Sequence, residues 1–144
     1  MRILCRLIYR EWFSGKRGAA EMIKIKHLME RVESDDGKRL WVEPVGLTRD
    51  LAEWCKVDYV MPHLGPPPSL WKWFEHHPDG YEYFRGKYHE ILIKGPYRLA
   101  LRHLAKAANN ENFTLVHQGE DPQHNTATAL YEFLNDLWAY RPEI

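Results

Sequence analysis

Between Met22 and Met29 apolar and polar side chains alternate, Ile23 and Ile25 against Lys24 and Lys26, which is the period of a strand with one face buried. Ser34-Asp-Asp-Gly37 follows as a turn signal, and Arg39-Leu-Trp-Val-Glu-Pro44 reads as a second strand stopped by its proline. Fewer residues separate these strands than the dozen or so that a parallel crossover usually needs, so the pattern predicts antiparallel neighbours or strands that are not neighbours. Thr48 is placed to cap a short helix through Trp54, with Leu51 and Trp54 on one face. Val57–Met61 reads as a short extended piece, and the four prolines between Pro62 and Pro68 make a stiff loop.

The second half changes period. Ser69 is expected to cap a helix over 70–76 that Pro78 ends, and Asp79 with Glu82 has the spacing of a capping box. Tyr81, Phe84, Tyr88, Ile91 and Leu92 then fall on one helical face. Gly95-Pro96 opens another helix, with Leu101, Leu104 and Ala108 inward and Asn109-Asn110 at its end. Phe113–His117 is a compact apolar strand. After Gln118-Gly-Glu120, Asp121 and Pro122 read as N-cap and first residue of a last helix, whose apolar face is Leu130, Phe133, Leu134, Leu137 and Trp138. No internal repeat interrupts this order. The sum is a small α/β domain with a strand–loop–helix unit near its end.

Composition narrows the picture. A chain of 144 residues, 44% hydrophobic and 13% aromatic, is long and apolar enough for one domain with one core. Its formal charge is zero, with 20 basic and 20 acidic side chains, but the charge is unevenly spread. Residues 1–21 carry +3, while residues 22–144 carry −3 and all eight histidines. The opening segment is a basic N-terminal extension rather than a secretory signal, because Arg6 and Arg10 break any apolar stretch. It is an amphipathic appendage, a segment packed on the body, or an upstream extension of a gene that starts at Met22; the strand-like Ile23-Lys-Ile-Lys26 directly after Met22 favours the last. The body's negative charge disfavours nucleic acid as a partner, and apolar runs of a few residues fall far short of the roughly 20 that cross a bilayer, so no membrane partner is expected. Two cysteines make no disulfide framework and point to a reducing, cytoplasmic setting.

Several pieces in order carry a family resemblance: Met22-Ile-Lys-Ile-Lys26, Ser34-Asp-Asp-Gly37, Leu70-Trp-Lys-Trp-Phe74 followed by His77-Pro78, Tyr83-Phe-Arg-Gly-Lys-Tyr88, Phe113-Thr-Leu-Val116, and Gln123-His-Asn125 opening the last helix. From Met22 to about Leu137 the chain resembles the YeaO-like branch of the domain-of-unknown-function family 488. The resemblance implies a small Rossmann-like three-layer α/β domain, a mostly parallel sheet flanked by helices, in the cytoplasm. It implies no reaction. Family members usually carry Asp-Arg-Leu-Trp-Pro-Arg-Gly after the second strand, where this chain has Val42-Glu-Pro-Val-Gly-Leu47, so that motif's arginine is missing.

Candidate chemistry gathers at 117–125. Ligands of open α/β sheets bind beyond the carboxyl ends of strands, where loops meet helix N-termini. Gly119 permits close backbone approach, and Asp121, His124 and Asn125 offer polar groups. Glu43 at the end of strand two and His63 in the proline loop are further expected pocket residues. His124, Glu120 and His117 are the candidates for acid–base work, and a helix dipole at the first turn would keep His124 neutral. Glu120 and Asp121 occupy the positive end of the helix, so a neutral or polar small molecule is expected rather than a phosphate. The same residues also make sense without a ligand, as a cap, a solvated acid and loop ties. His117 and His124 could converge with Glu120 or Asp121 as a metal-like set, with His63 an equally plausible partner from elsewhere in the fold, but no standard ligand spacing supports it and no metal is expected. No cofactor is named by any motif: the nucleophile elbow, the dinucleotide fingerprint and the phosphate loop are all missing. Cys55 reads as a buried structural thiol. The alternative function is an interaction module for protein or RNA, using Arg98, Arg102 and Lys106 as a basic helical stripe with Trp71, Trp73, Tyr81 and Tyr83 for stacking. A purely structural subunit, assembled as a homo-oligomer, is a third reading.

Overall fold

In the computed structural model, which describes residues 22–139, four strands form one parallel sheet in the order β1-β4-β2-β3. They are β1 (Ile23–His27), β2 (Lys38–Trp41), β3 (Tyr59–Val60) and β4 (Phe113–His117). Ile23 lies opposite Phe113 and His27 opposite His117, while Lys38 lies opposite the same Phe113 from the other side. Both first strands are therefore parallel to β4 and separated by it. Of the two arrangements expected, they are not neighbours; the short connection passes across the sheet through a 3-10 turn at Ser34–Asp36. Residues 1–21, including the basic extension, lie outside the described residues.

Alternation along the strands divides the side chains between two faces. Ile23, Leu40, Val42, Phe113 and Leu115 belong to the larger core, covered by α2 (Pro68–His76), α3 (Tyr81–Lys94), α4 (Arg98–Ala107) and α5 (Thr126–Ala139). Tyr81, Phe84, Tyr88 and Leu92 form the inward stripe of α3, as the spacing predicts, whereas Ile91 is exposed. The opposite face has a thinner cover: Leu28, Trp41, Cys55 and Val116 cluster under Val45, Leu47 and Val57, beside α1 (Arg49–Trp54). The result is a three-layer α/β domain with unequal outer layers. All five residues of β4 are buried, as expected for a central parallel strand covered on both faces.

Helix ends follow sequence signals unevenly. The Thr48 hydroxyl accepts from the Leu51 N–H at 3.2 Å and caps α1. The helix stops with Lys56 at a φ of 56°, and Val57 N–H closes onto the Ala52 carbonyl, leaving Leu51 and Trp54 exposed rather than buried. Ser69 does not cap α2, which begins at Pro68 after Pro67. The expected box at Asp79 is also missing, because α3 is capped one residue later by Gly80, where a Cβ would strike the Trp73 indole.

The polar face of β1 does not meet water as its alternation predicts. Lys26, Asp36 and Arg39 are buried. The Asp36 carboxylate receives Lys24 Nζ at 2.9 Å, Lys26 Nζ at 2.9 Å and Arg39 Nη1 at 2.8 Å. Arg39 also donates to the carbonyls of Lys56 and Cys55, tying the end of α1 to β2. Thr114 donates its hydroxyl to the Asp36 carbonyl, so the turn before β2 is anchored to the central strand. Among the described residues, no helix is long and apolar enough to cross a membrane.

Candidate functional site

The chain leaves β2 toward the thin layer and leaves β4 toward α5 in the thick layer, so the connections diverge at the carboxyl ends of two adjacent strands. Such divergence opens a crevice in parallel sheets. Here it is a cavity of about 630 Å³ whose walls come from the end of β2 (Glu43), from α2 (Trp71, Phe74, Glu75), from Pro78, and from the loop and first turn of α5 (118–121 and 124–126). The α2 contribution has a simple origin: positions 71, 74 and 75 follow helical spacing and therefore share one stripe.

Glu43 forms the floor and is only 1% exposed. Its Oε1 accepts from the Trp71 indole Nε1 at 3.1 Å and its Oε2 from the Gln118 N–H at 2.9 Å, with the Thr126 hydroxyl as a further donor. Burial pushes its carboxyl above the ordinary glutamate range, and the three donors offset part of that rise. One side chain thus joins β2, α2, the β4 loop and the start of α5.

The loop closes on itself. Asp121 accepts from the N–H groups of Gln123 at 2.9 Å and His124 at 3.3 Å, and its other oxygen lies 3.1 Å from His124 Nδ1. The Gln123 N–H, foremost, holds this carboxyl below its usual range, with His124 adding to the effect. The cap of α5 is Asn125, whose Oδ1 accepts from the Thr128 N–H at 2.8 Å while its Nδ2 donates to the Asp121 carbonyl at 2.9 Å. This corrects the expected helix start at Asp121 and Pro122: those residues form a preceding turn, and His124 stands before the helix rather than in its first turn. The ground for a dipole effect on His124 is thereby lost. Asn125→Ala should cost about 1–2 kcal/mol in chemical denaturation, while Pro122→Ala should change little. Equal losses would place the cap at Asp121 after all.

Of the residues singled out in the sequence, Glu43, Gly119, Glu120, Asp121, His124 and Asn125 come together around this cavity. His117 is buried beneath it, its Nδ1 accepting from the Gly119 N–H at 3.1 Å and its ring edge-on to His27. His63 belongs elsewhere: it lines a hollow of about 290 Å³ with Pro44, Pro66 and Tyr97, because the 3-10 turn at Pro62–Leu64 carries it past the other edge of the sheet end. Trp71, Phe74 and Glu75 were not expected in the site. The Arg98–Arg102–Lys106 stripe is interrupted, since Arg102 is 8% exposed between two exposed neighbours. Tyr81, one of the expected stacking rings, is buried and donates its hydroxyl to Glu132. Cys55 is a buried free thiol. Among the described residues, one acidic trio, Glu33, Asp35 and Asp36, is close enough to share a cation, and the Lys24 and Lys26 ammonium groups already fill that role.

Residues 22–143 match the model of a family described as the inactive DUF488-N3 subclade. Uncharacterized proteins of Mycobacterium bovis and Mycobacterium tuberculosis are 26% identical over 119 residues, covering 78% of this chain and 93% of theirs. No solved structure matches the chain.

Proposed function

The chain belongs to the inactive DUF488-N3 subclade, and on that premise we propose that it binds a small polar molecule in the Glu43 cavity without transforming it. The observation that carries this reading is the cavity itself, about 630 Å³ at diverging strand ends with a buried, thrice hydrogen-bonded carboxylate as its floor. That volume lies in the range of small-molecule sites. Two further features support binding over catalysis. Among the described residues no lysine or arginine lines the cavity to stabilise a developing negative charge, and the leading N–H groups near α5 are taken by Asp121 and Asn125. Asp121 holds His124 as a base would be held, yet among the described residues lining the cavity the one hydroxyl, that of Thr126, is engaged with Glu43. The proposed setting is the cytoplasm, consistent with the buried free thiol of Cys55.

A library of small polar fragments, screened by NMR, should move the Trp71 indole signal together with the Gln118 and Gly119 amides. Glu43→Gln should weaken such binding about tenfold, or about 1.4 kcal/mol, because an amide cannot accept at both of its ends. Shifts confined to other surfaces, or full affinity in Glu43→Gln, would remove the cavity from consideration.

A further inference from the structure

The cavity is a site by its volume and its buried floor; its charges decide what class of molecule it takes. Among the described residues four carboxylates line it, from Glu43, Glu75, Glu120 and Asp121, and no lysine or arginine does. Two of the four are spent within the protein: Glu43 on Trp71, Gln118 and Thr126, and Asp121 on two backbone N–H groups and His124. Glu75 and Glu120 are different. Neither makes a hydrogen bond or ion pair among the described residues, and both line the cavity while remaining exposed to solvent. Several acidic groups elsewhere among the described residues have cationic partners. Lys24 and Lys26 serve Glu33, Asp35 and Asp36; Arg85 serves Glu82 and Glu132; Lys87 and Lys94 flank Glu90. An uncompensated pair at the mouth of a cavity raises the local concentration of cations and repels anions. Trp71, with its indole fixed by Glu43, and Phe74 add aromatic wall suited to a cationic head and its carbon stem.

We propose that the ligand is a small organic cation, an alkylammonium or guanidinium compound, whose charged head meets Glu75 and Glu120 while its carbon chain lies against Trp71 and Phe74. This rests on the cavity being the binding site and specifies its chemistry. Recognition between half-open carboxylates and a cation weakens with salt, over the Debye length of about 8 Å at physiological ionic strength.

Three probes with the same four-carbon chain separate the possibilities: n-butylammonium, n-butanol and butyrate, each titrated while the Trp71 indole and the Gln118 and Gly119 amides are followed by NMR. The cation should bind at least tenfold more tightly than the alcohol, butyrate should leave these signals unmoved, and added salt should erode the difference. Glu75→Gln with Glu120→Gln should abolish the preference without lowering the urea midpoint, since among the described residues neither side chain has a hydrogen-bond or ion-pair partner to lose. Equal or tighter binding of butanol or butyrate at these signals overturns the cation assignment and leaves the cavity standing. Silence from all three overturns the cation assignment as well, and the wider fragment library then decides the cavity on its own.

Discussion

Asp36→Asn is expected to lower stability by about 3–5 kcal/mol, read as a fall in the urea midpoint at unchanged slope. The size follows from what the substitution leaves behind. Asp36 is 1% exposed, and its carboxylate neutralises Lys26 and Arg39, themselves 7% and 2% exposed, as well as Lys24. An amide keeps the shape but returns no charge, so the buried cations lose their main counterion. Glu33 still reaches Lys26 at 2.9 Å, which keeps the loss below that of an isolated ion. Lys26→Met in the Asp36→Asn background should recover part of the loss, because it removes one stranded charge. A loss under 1 kcal/mol would mean that water enters and the network is not a dry one.

The same network fixes the response to pH. Glu33, Asp35 and Asp36 all have carboxyl groups below their ordinary range, with Lys24 and Lys26 as the principal cause; for Asp36 their hydrogen bonds overcome the upward push of burial. A carboxyl lowered in the folded state contributes stability above its unfolded pKa, and that contribution disappears as pH falls through the folded value. Acid unfolding should therefore set in below the ordinary carboxylate range. Glu43 acts with the opposite sign. Its raised pKa means that ionising it costs more in the fold than in the open chain, so its contribution falls as pH rises from the ordinary glutamate value of 4.5 through the raised one. In Glu43→Gln, the stability profile should lose that decline on the alkaline side and keep the acid limb.

Which features could be read from the sequence depended on whether the signal was local. Apolar spacing sufficed for the inward stripe of α3 and for all of β4, where side chains alone decide what is buried. Lys24 and Lys26 misled, because alternation marks a polar face but does not say that a later turn will fold over it with Asp36. Asp121-Pro122 misled for a different reason. An aspartate three residues before a free N–H satisfies a turn as well as a helix, and Asn125, with both amide groups used, makes the stronger cap. The 118–125 part of the site was accessible as a loop after a buried strand. The α2 wall was hidden, because nothing in the sequence says that α2 lies over the strand ends, although the spacing of Trp71, Phe74 and Glu75 already put all three on one stripe.

Phe84→Ala should cost about 3–5 kcal/mol and should also impair the cavity, joining the two halves of the molecule in one measurement. The ring is fully buried and stacks on Phe74 with centroids 4.4 Å apart and planes 13° from parallel; Tyr81 and Tyr88 lie 6.4 Å and 5.9 Å away. Phe74 lines the cavity from α2, and the Tyr81 ring lies 4.6 Å from that of His124 on the opposite wall. Phe84 therefore supports both walls from beneath. Alanine removes the support and leaves a void that close-packed neighbours fill only in part. Leucine restores much of the volume but not the flat face against Phe74, so Phe84→Leu should regain much of the stability while binding stays weaker than in the parent chain. Urea midpoints and fragment titrations of the Trp71 indole, taken on both variants under conditions where each is folded, separate the effects. Parent-like affinity in folded Phe84→Ala would show that α2 holds its wall without the core, through the Trp71–Glu43 bond alone.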